Sequence, residues 1–153
     1  MDFMKEALEE AKKALLLNEV PVGAVIVKEG KIISRAHNLR ETLKSPLAHA
    51  EVLAIKEASE RLNSWRLNGC TLYVTLEPCI MCAGAIAQAR ISEIHIGAID
   101  PSAGACGSVI NILQNDNLNL YTKMFWEYNK ECGDVLTEFF QNRRKACKVN
   151  MKK

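Results

Sequence analysis

His49 and Glu51 stand two residues apart in "LAHAEVLAI", and Cys79 and Cys82 stand three apart in "TLEPCIMCAGA". An imidazole and two thiolates make a ligand set for Zn²⁺. Three protein ligands leave the fourth tetrahedral position open to water, which is what separates catalytic from structural zinc. A carboxylate two residues from the histidine is badly placed to ligate beside it but well placed to move protons at that open position. Two thiolates cancel the ion's charge, so the metal is a weaker Lewis acid than one held by three imidazoles, and a neighbouring base becomes useful. The pattern points to metal-assisted hydrolysis, with Glu51 as the acid–base group.

Both pairs open an apolar helix. Pro78 suits the first helical position, which puts Cys79 in the first turn and Cys82 on the same face. Unpaired N–H groups and the positive end of the helix dipole favour thiolates there. His49 meets the sulfurs if the two helices lie side by side on one face of a sheet. A thioredoxin-type redox pair or a closed zinc knuckle also uses C-x-x-C, but neither explains H-x-E. Cys106, in a glycine-rich loop, competes as a fourth ligand, whereas His37 and His95 fit better as ordinary hydrogen-bonded residues. Glu77, at a strand end, is expected to bond backbone groups.

The elements that must position these groups follow from periodicity. Phe3, Met4, Ala7, Leu8, Ala11, Ala14 and Leu15 recur at helical spacing behind Asp2, a suitable N-cap. Val22–Val27 and Ile32–Ala36 flank a "KEGK" turn as a hairpin, and a helix is expected from about Ala48 to Leu62. Leu72–Thr75 and Ile94–Ala98 are further strands, with a helix beginning near Pro78 between them. "DPSAGACGS" is a loop, Val109–Leu113 a short helix, Leu120–Phe125 a fifth strand and Cys132–Cys147 a closing helix. A helix followed by ββαβαβαβα implies a three-layer α/β/α sandwich around a central mixed five-stranded sheet.

The 153 residues, 48% hydrophobic and 25% charged, fit a single domain over 1–153 with one core. No apolar run reaches the roughly 20 residues of a membrane span, and the acidic start of the chain is unlike a signal peptide. A cytoplasmic protein with six reduced cysteines is expected. The net charge of +2 does not by itself announce nucleic acid. Local clustering does more: residues 139–153 carry Arg143, Arg144, Lys145, Lys148, Lys152 and Lys153 and no acid.

The H-x-E and P-C-x-x-C elements together form the signature of zinc-dependent nucleobase deaminases. With "PVGAVIV", "LYVTLEPCIMCAGAI", "GAIDPSAGACGSVINIL" and "FFQNRR" beside them, nearly the whole chain resembles the bacterial tRNA-specific adenosine deaminases of the cytidine/deoxycytidylate deaminase-like superfamily. The resemblance implies a cytidine-deaminase-like sandwich, a homodimer and one Zn²⁺ per subunit. It also implies hydrolytic conversion of the wobble adenosine, position 34 of a tRNA anticodon, to inosine with release of ammonia.

Carried over position by position, the resemblance makes His49, Cys79 and Cys82 the zinc ligands and Glu51 the proton shuttle. Asn38 and the Ala50 N–H would contact the base between apolar walls from Val22 and Leu76. Asp100, Ser102, Phe139, Phe140 and Arg143 would meet the anticodon stem-loop, one of the two phenylalanines being core because neighbours on a helix point apart. Ile99 stands where the family often has a basic residue, and Cys106 puts a thiol near the RNA path. The metal motif fixes reaction class rather than substrate. A free-base deaminase acting on guanine or cytosine is therefore the alternative, and a non-catalytic zinc-stabilised RNA-binding subunit a second; the latter is expected to lack Glu51.

Overall fold

The computed structural model describes residues 1–152. Helix α1 (Phe3–Leu16) is followed by strands β1 (Gly23–Lys28) and β2 (Lys31–His37), helix α2 (Ala50–Leu62), strand β3 (Cys70–Leu76), helix α3 (Ile80–Gln88) and strand β4 (Glu93–Ala98). A small ribbon, β5 (Gln114–Asn115) and β6 (Leu120–Tyr121), precedes strand β7 (Lys123–Trp126) and helix α4 (Lys130–Met151). The main sheet runs β2-β1-β3-β4-β7, with β1 antiparallel to β2 and β3, and β3, β4 and β7 parallel. It is the mixed five-stranded sheet that the sequence implies.

Strand alternation divides the core. Ala24, Ile26, Leu72, Val74, Ile94 and Ile96 face one way and pack with Ala50, Ala54 and Ala58 of α2 and Ala83, Ile86 and Ala87 of α3. Val25 and Val27 face the other way and pack with Met4, Ala7, Leu8 and Ala11 of α1 and Cys132 of α4. Two-residue periodicity thus makes both faces apolar, and helices cover each. Asp2 caps α1 as expected, its Oδ1 accepting from the Lys5 N–H at 3.1 Å. Gly23 lets α1 lie directly on β1, because a Cβ there would overlap the Ala7 carbonyl oxygen.

Three expectations are corrected. Val109–Leu113 is not helical; its amides bond into the preceding loop, Val109 and Ile110 to the Gly104 carbonyl at 3.0 and 3.3 Å and Ile112 to Ala105 at 2.9 Å. The stretch 120–125 is broken at Thr122, whose N–H donates to Leu113, so only Lys123–Trp126 joins the main sheet. The closing helix is longer than expected, running to Met151 with its last turns exposed. None of the helices among the described residues is long and apolar enough to cross a membrane.

Candidate active site

Strands β3 and β4 run parallel and bring Leu76 opposite Ala98 at their C-terminal ends. The chain leaves β3 through Glu77 and Pro78 into α3, while α2 begins beside it. His49 and Cys79 are the N-cap residues of α2 and α3, in extended conformation, and neither side chain caps its own helix. An N-cap side chain ordinarily bonds back to the first-turn N–H groups. Here the two point at one another instead.

His49 Nδ1 lies 3.6 Å from Cys79 Sγ and 3.4 Å from Cys82 Sγ. Among the described residues these three form the one cluster of His, Cys and carboxylate ligand atoms within 4.8 Å of one another. Pro78 precedes the N-cap rather than opening the helix, and its carbonyl accepts from the Ala105 N–H at 2.9 Å. The sequence-derived placement of Cys79 is therefore one step too far into the helix, yet the i, i+3 relation to Cys82 holds. His37 and His95 lie elsewhere, bonded to Glu10 at 2.8 Å and Glu127 at 3.0 Å. Cys106 is outside the cluster and buried, and burial pushes its thiol up to about 12. It is neither a fourth ligand nor an exposed, oxidisable group.

The electrostatics suit a cation. The hydrogen bond from Cys82, then that from His49, holds the Cys79 thiol down at about 3, while the bond to Cys79 and burial push Cys82 up. The hydrogen bond with Cys79 raises His49. One negative charge is already collected on a sulfur beside a second thiol and an imidazole, a donor set that fits Zn²⁺. Glu51, in the first turn of α2, is 4% exposed, and burial raises its pKa. A carboxyl held in that way retains a proton more readily than one in water, as an acid–base group requires.

Cys82 is fully buried, and His49, Cys79 and Glu51 floor a cavity of about 650 Å³. Val22, Asn38, Ala50, Leu76, Asp100, Ser102, Phe140 and Arg143 all line it, as do His49, Glu51 and Cys79. Asn38 is buried and half committed: its Nδ2 donates to the Val20 carbonyl at 3.2 Å, and its Oδ1 accepts from the Arg40 N–H at 3.1 Å. Asp100 turns its Oδ1 back on its own loop, accepting from Ser102 N–H and hydroxyl at 3.0 and 2.8 Å and from Ala103 N–H at 3.2 Å.

Phe139 and Phe140 part company. Phe139 is 5% exposed and faces away from the cavity under the Arg143 guanidinium, while Phe140 is 40% exposed and lines it. Sequence reasoning missed Val20, Arg40 and the α4 stripe Gly133, Leu136 and Thr137, all of which line the cavity. The stripe carries a signal, since it continues through Phe140 and Arg144 at three- and four-residue steps. Arg40 carries none beyond its nearness to Asn38.

The family model for the cytidine and deoxycytidylate deaminase zinc-binding region matches residues 1–98. The chain is 50% identical over 151 residues to the tRNA-specific adenosine deaminase of Bacillus subtilis, covering 98% of this chain and 94% of that one. It is 55% identical over 144 residues to that of Aquifex aeolicus, covering 93% and 94%. A solved structure from a study of A-to-I editing by tRNA:A34 deaminases superposes with a TM-score of 0.84 at 41% identity, covering 88% of this chain and 98% of that one. The guanine deaminase of Bacillus subtilis superposes at 0.62 with 33% identity, covering 75% and 86%. Fold, ligand cluster and likeness along nearly the whole chain agree, and the chain belongs to the zinc-binding cytidine and deoxycytidylate deaminase family, in the branch of the tRNA-specific adenosine deaminases.

Proposed function

We propose that this chain is a hydrolase that deaminates the wobble adenosine, position 34 of a tRNA anticodon, giving inosine and ammonia. The observation that carries the reading is one cavity lined by His49 and Cys79 of the ligand cluster and by the buried Glu51, with Arg40, Arg143 and Arg144 also among its lining residues. A free base needs no cationic border; a base drawn out of an RNA strand brings phosphates with it. Close likeness to proteins named tRNA-specific adenosine deaminase supports the same reading.

In this reading His49, Cys79 and Cys82 hold one zinc per subunit. Bound zinc supplies a Lewis acid that makes water a competent nucleophile near neutral pH. Glu51 accepts the proton that water loses as its oxygen bonds to C6 of adenine. It returns that proton to the adjacent ring nitrogen, then takes the remaining proton from the new C6 hydroxyl and passes it to the amino group, which leaves as ammonia as the C6–N bond breaks and the C6 carbonyl forms. Asn38 and the Ala50 N–H orient the base, and Val22 and Leu76 pack on its faces. Asp100 and Ser102 shape the loop beside the flanking strand, Phe140 stacks on a neighbouring base, Phe139 backs the helix that carries it, and Arg143 pairs with phosphate. The chain acts as a single domain over 1–153, as a cytoplasmic homodimer.

The test is direct. Purified protein is incubated with an anticodon stem-loop bearing adenosine at the wobble position, and separately with guanine and with cytosine. Inosine from the RNA, with both free bases untouched, is expected; ammonia from the free bases alone would replace the reading with the free-base alternative.

A further inference from the structure

Glu77 is 2% exposed and ligates nothing in the His49, Cys79 and Cys82 cluster. Its Oε1 accepts from the Asp100 N–H at 3.1 Å and from the Ser108 hydroxyl, and its Oε2 accepts from the Cys106 and Ser108 N–H groups, both at 3.1 Å. The chain closes around that carboxylate on both sides. The Glu77 N–H donates to the Ala98 carbonyl at 2.8 Å, and the next carbonyl, that of Pro78, accepts from Ala105. Gly104 approaches so closely that a Cβ there would overlap the carboxyl group. Four donors from one loop therefore converge on one buried side chain two residues before Cys79. That loop supplies Ile99, Asp100, Ser102 and Ala103 to the cavity wall.

We infer that Glu77 is a positioning residue that holds the loop from Ile99 to Ser108 in the shape that receives the RNA strand, so that it governs substrate capture rather than the deamination step. The inference rests on the RNA reading above. Its side chain makes no hydrogen bond to His49, Glu51, Cys79 or Cys82, so a disturbed loop leaves the reacting groups in place. Glutamine has the same shape, but its amide end is a donor and would face N–H groups that need an acceptor.

The test uses Glu77→Gln and Gly104→Ala in zinc-loaded protein, assayed on the anticodon stem-loop. Both are expected to keep wild-type zinc content, to raise KM about tenfold or more and to leave kcat within about threefold, the pattern of lost binding shared by ground and transition states. Without RNA, amide exchange at Asp100, Cys106 and Ser108 is expected to accelerate about tenfold or more as the local opening becomes easier. The double variant should be no worse than the poorer single one, because both act through the same carboxylate. Should Glu77→Gln fail to fold, Ser108→Ala removes only the hydroxyl donor and is expected to shift KM and exchange in the same direction by less.

Zinc loss, a fall in kcat at unchanged KM, additive effects in the double variant, or unchanged loop exchange would each overturn the inference. Wild-type protein inert toward the stem-loop would remove the RNA reading instead. The exchange experiment then decides the positioning role alone: faster exchange upholds it and unchanged exchange overturns it.

Discussion

Nδ1 of His49 stands 3.4 Å from Sγ of Cys82, across the junction of α2 and α3 and 33 residues away in the chain. The side chain of this helix N-cap turns to two sulfurs and caps nothing in its own helix, which is the arrangement that the proposed shared zinc requires. Substituting Cys82→Ser is expected to lower bound zinc from one per chain to below about a tenth, measured by atomic absorption. Stripping zinc from the wild type with a chelator should lower Tm by about 10 °C, since a metal at about a thousand times its Kd stabilises by about 4 kcal/mol. Equal melting of stripped and loaded protein would mean that the three side chains do not share an ion.

Glu51 is buried and lines the same cavity, and the role proposed for it separates from that proposed for the ligands. Replacing it by glutamine should lower kcat by about 10² to 10⁴-fold while zinc content stays at the wild-type level. The pKa of Glu51 is raised by burial, so its ionisation opposes folding. That cost is absent below the unfolded pKa and grows as pH rises through the folded one. In zinc-stripped protein at pH 7.5 Glu51→Gln should therefore melt at or above the wild-type temperature. A clear drop would recast Glu51 as a structural residue.

The clustering of His49, Cys79 and Cys82 is legible in the sequence because it depends on short-range chemistry. His49 with Glu51 and Cys79 with Cys82 sit at fixed offsets from helix starts, and helix geometry alone brings each pair to one face. The sheet is legible for the same reason: Ala24 to Val27 alternate between two apolar cores as period two requires. What sequence reading loses is set by partners far away. Val109–Leu113 has an apolar composition compatible with a helix, but the loop carbonyls of Gly104 and Ala105 take its amides first. The buried carboxylates Glu10 and Glu19 look like surface residues until His37 and the amides of Glu41 and Thr42 are brought to them, 27, 22 and 23 residues on. Phe139 and Phe140 differ only in which way the helix turns them.

Glu19 yields a pH-dependent prediction. Its two oxygens accept from the N–H groups of Glu41 and Thr42, each at 3.0 Å, and so fasten the segment that leads from Asn38 to His49. Burial opposes its ionisation, but the hydrogen bonds from Thr42 and Glu41 outweigh burial and hold the carboxyl below its usual range. A depressed folded pKa contributes stability above the unfolded pKa, and that contribution is lost as pH falls through the folded value. Glu19→Gln should thus destabilise by about 1–3 kcal/mol at pH 7. In urea titrations the difference from the wild type should shrink as pH drops below about 4. A difference that is constant with pH would show that the charge is irrelevant to the contact.

The closing helix provides the sharpest division of labour between neighbours. Phe139, 5% exposed, packs edge-on against Phe140 with ring centres 5.4 Å apart, and the Arg143 guanidinium lies 5.3 Å over the Phe139 ring. Truncating Phe139 to alanine removes core contacts and the platform under Arg143, so it should destabilise by about 3 kcal/mol in chemical denaturation. Truncating Phe140 should cost under about 1 kcal/mol in stability yet raise KM for the stem-loop several-fold, because a stacked base is worth about 1–3 kcal/mol. Arg143→Ala tests the charge separately. If Arg143 neutralises one phosphate, the slope of log K against log salt becomes shallower by about 0.7 in the variant, the value for a single strand. An affinity lost without any change in slope would assign Arg143 to holding Phe139 in place and leave the phosphate to Arg40 or Arg144, the other arginines lining the cavity.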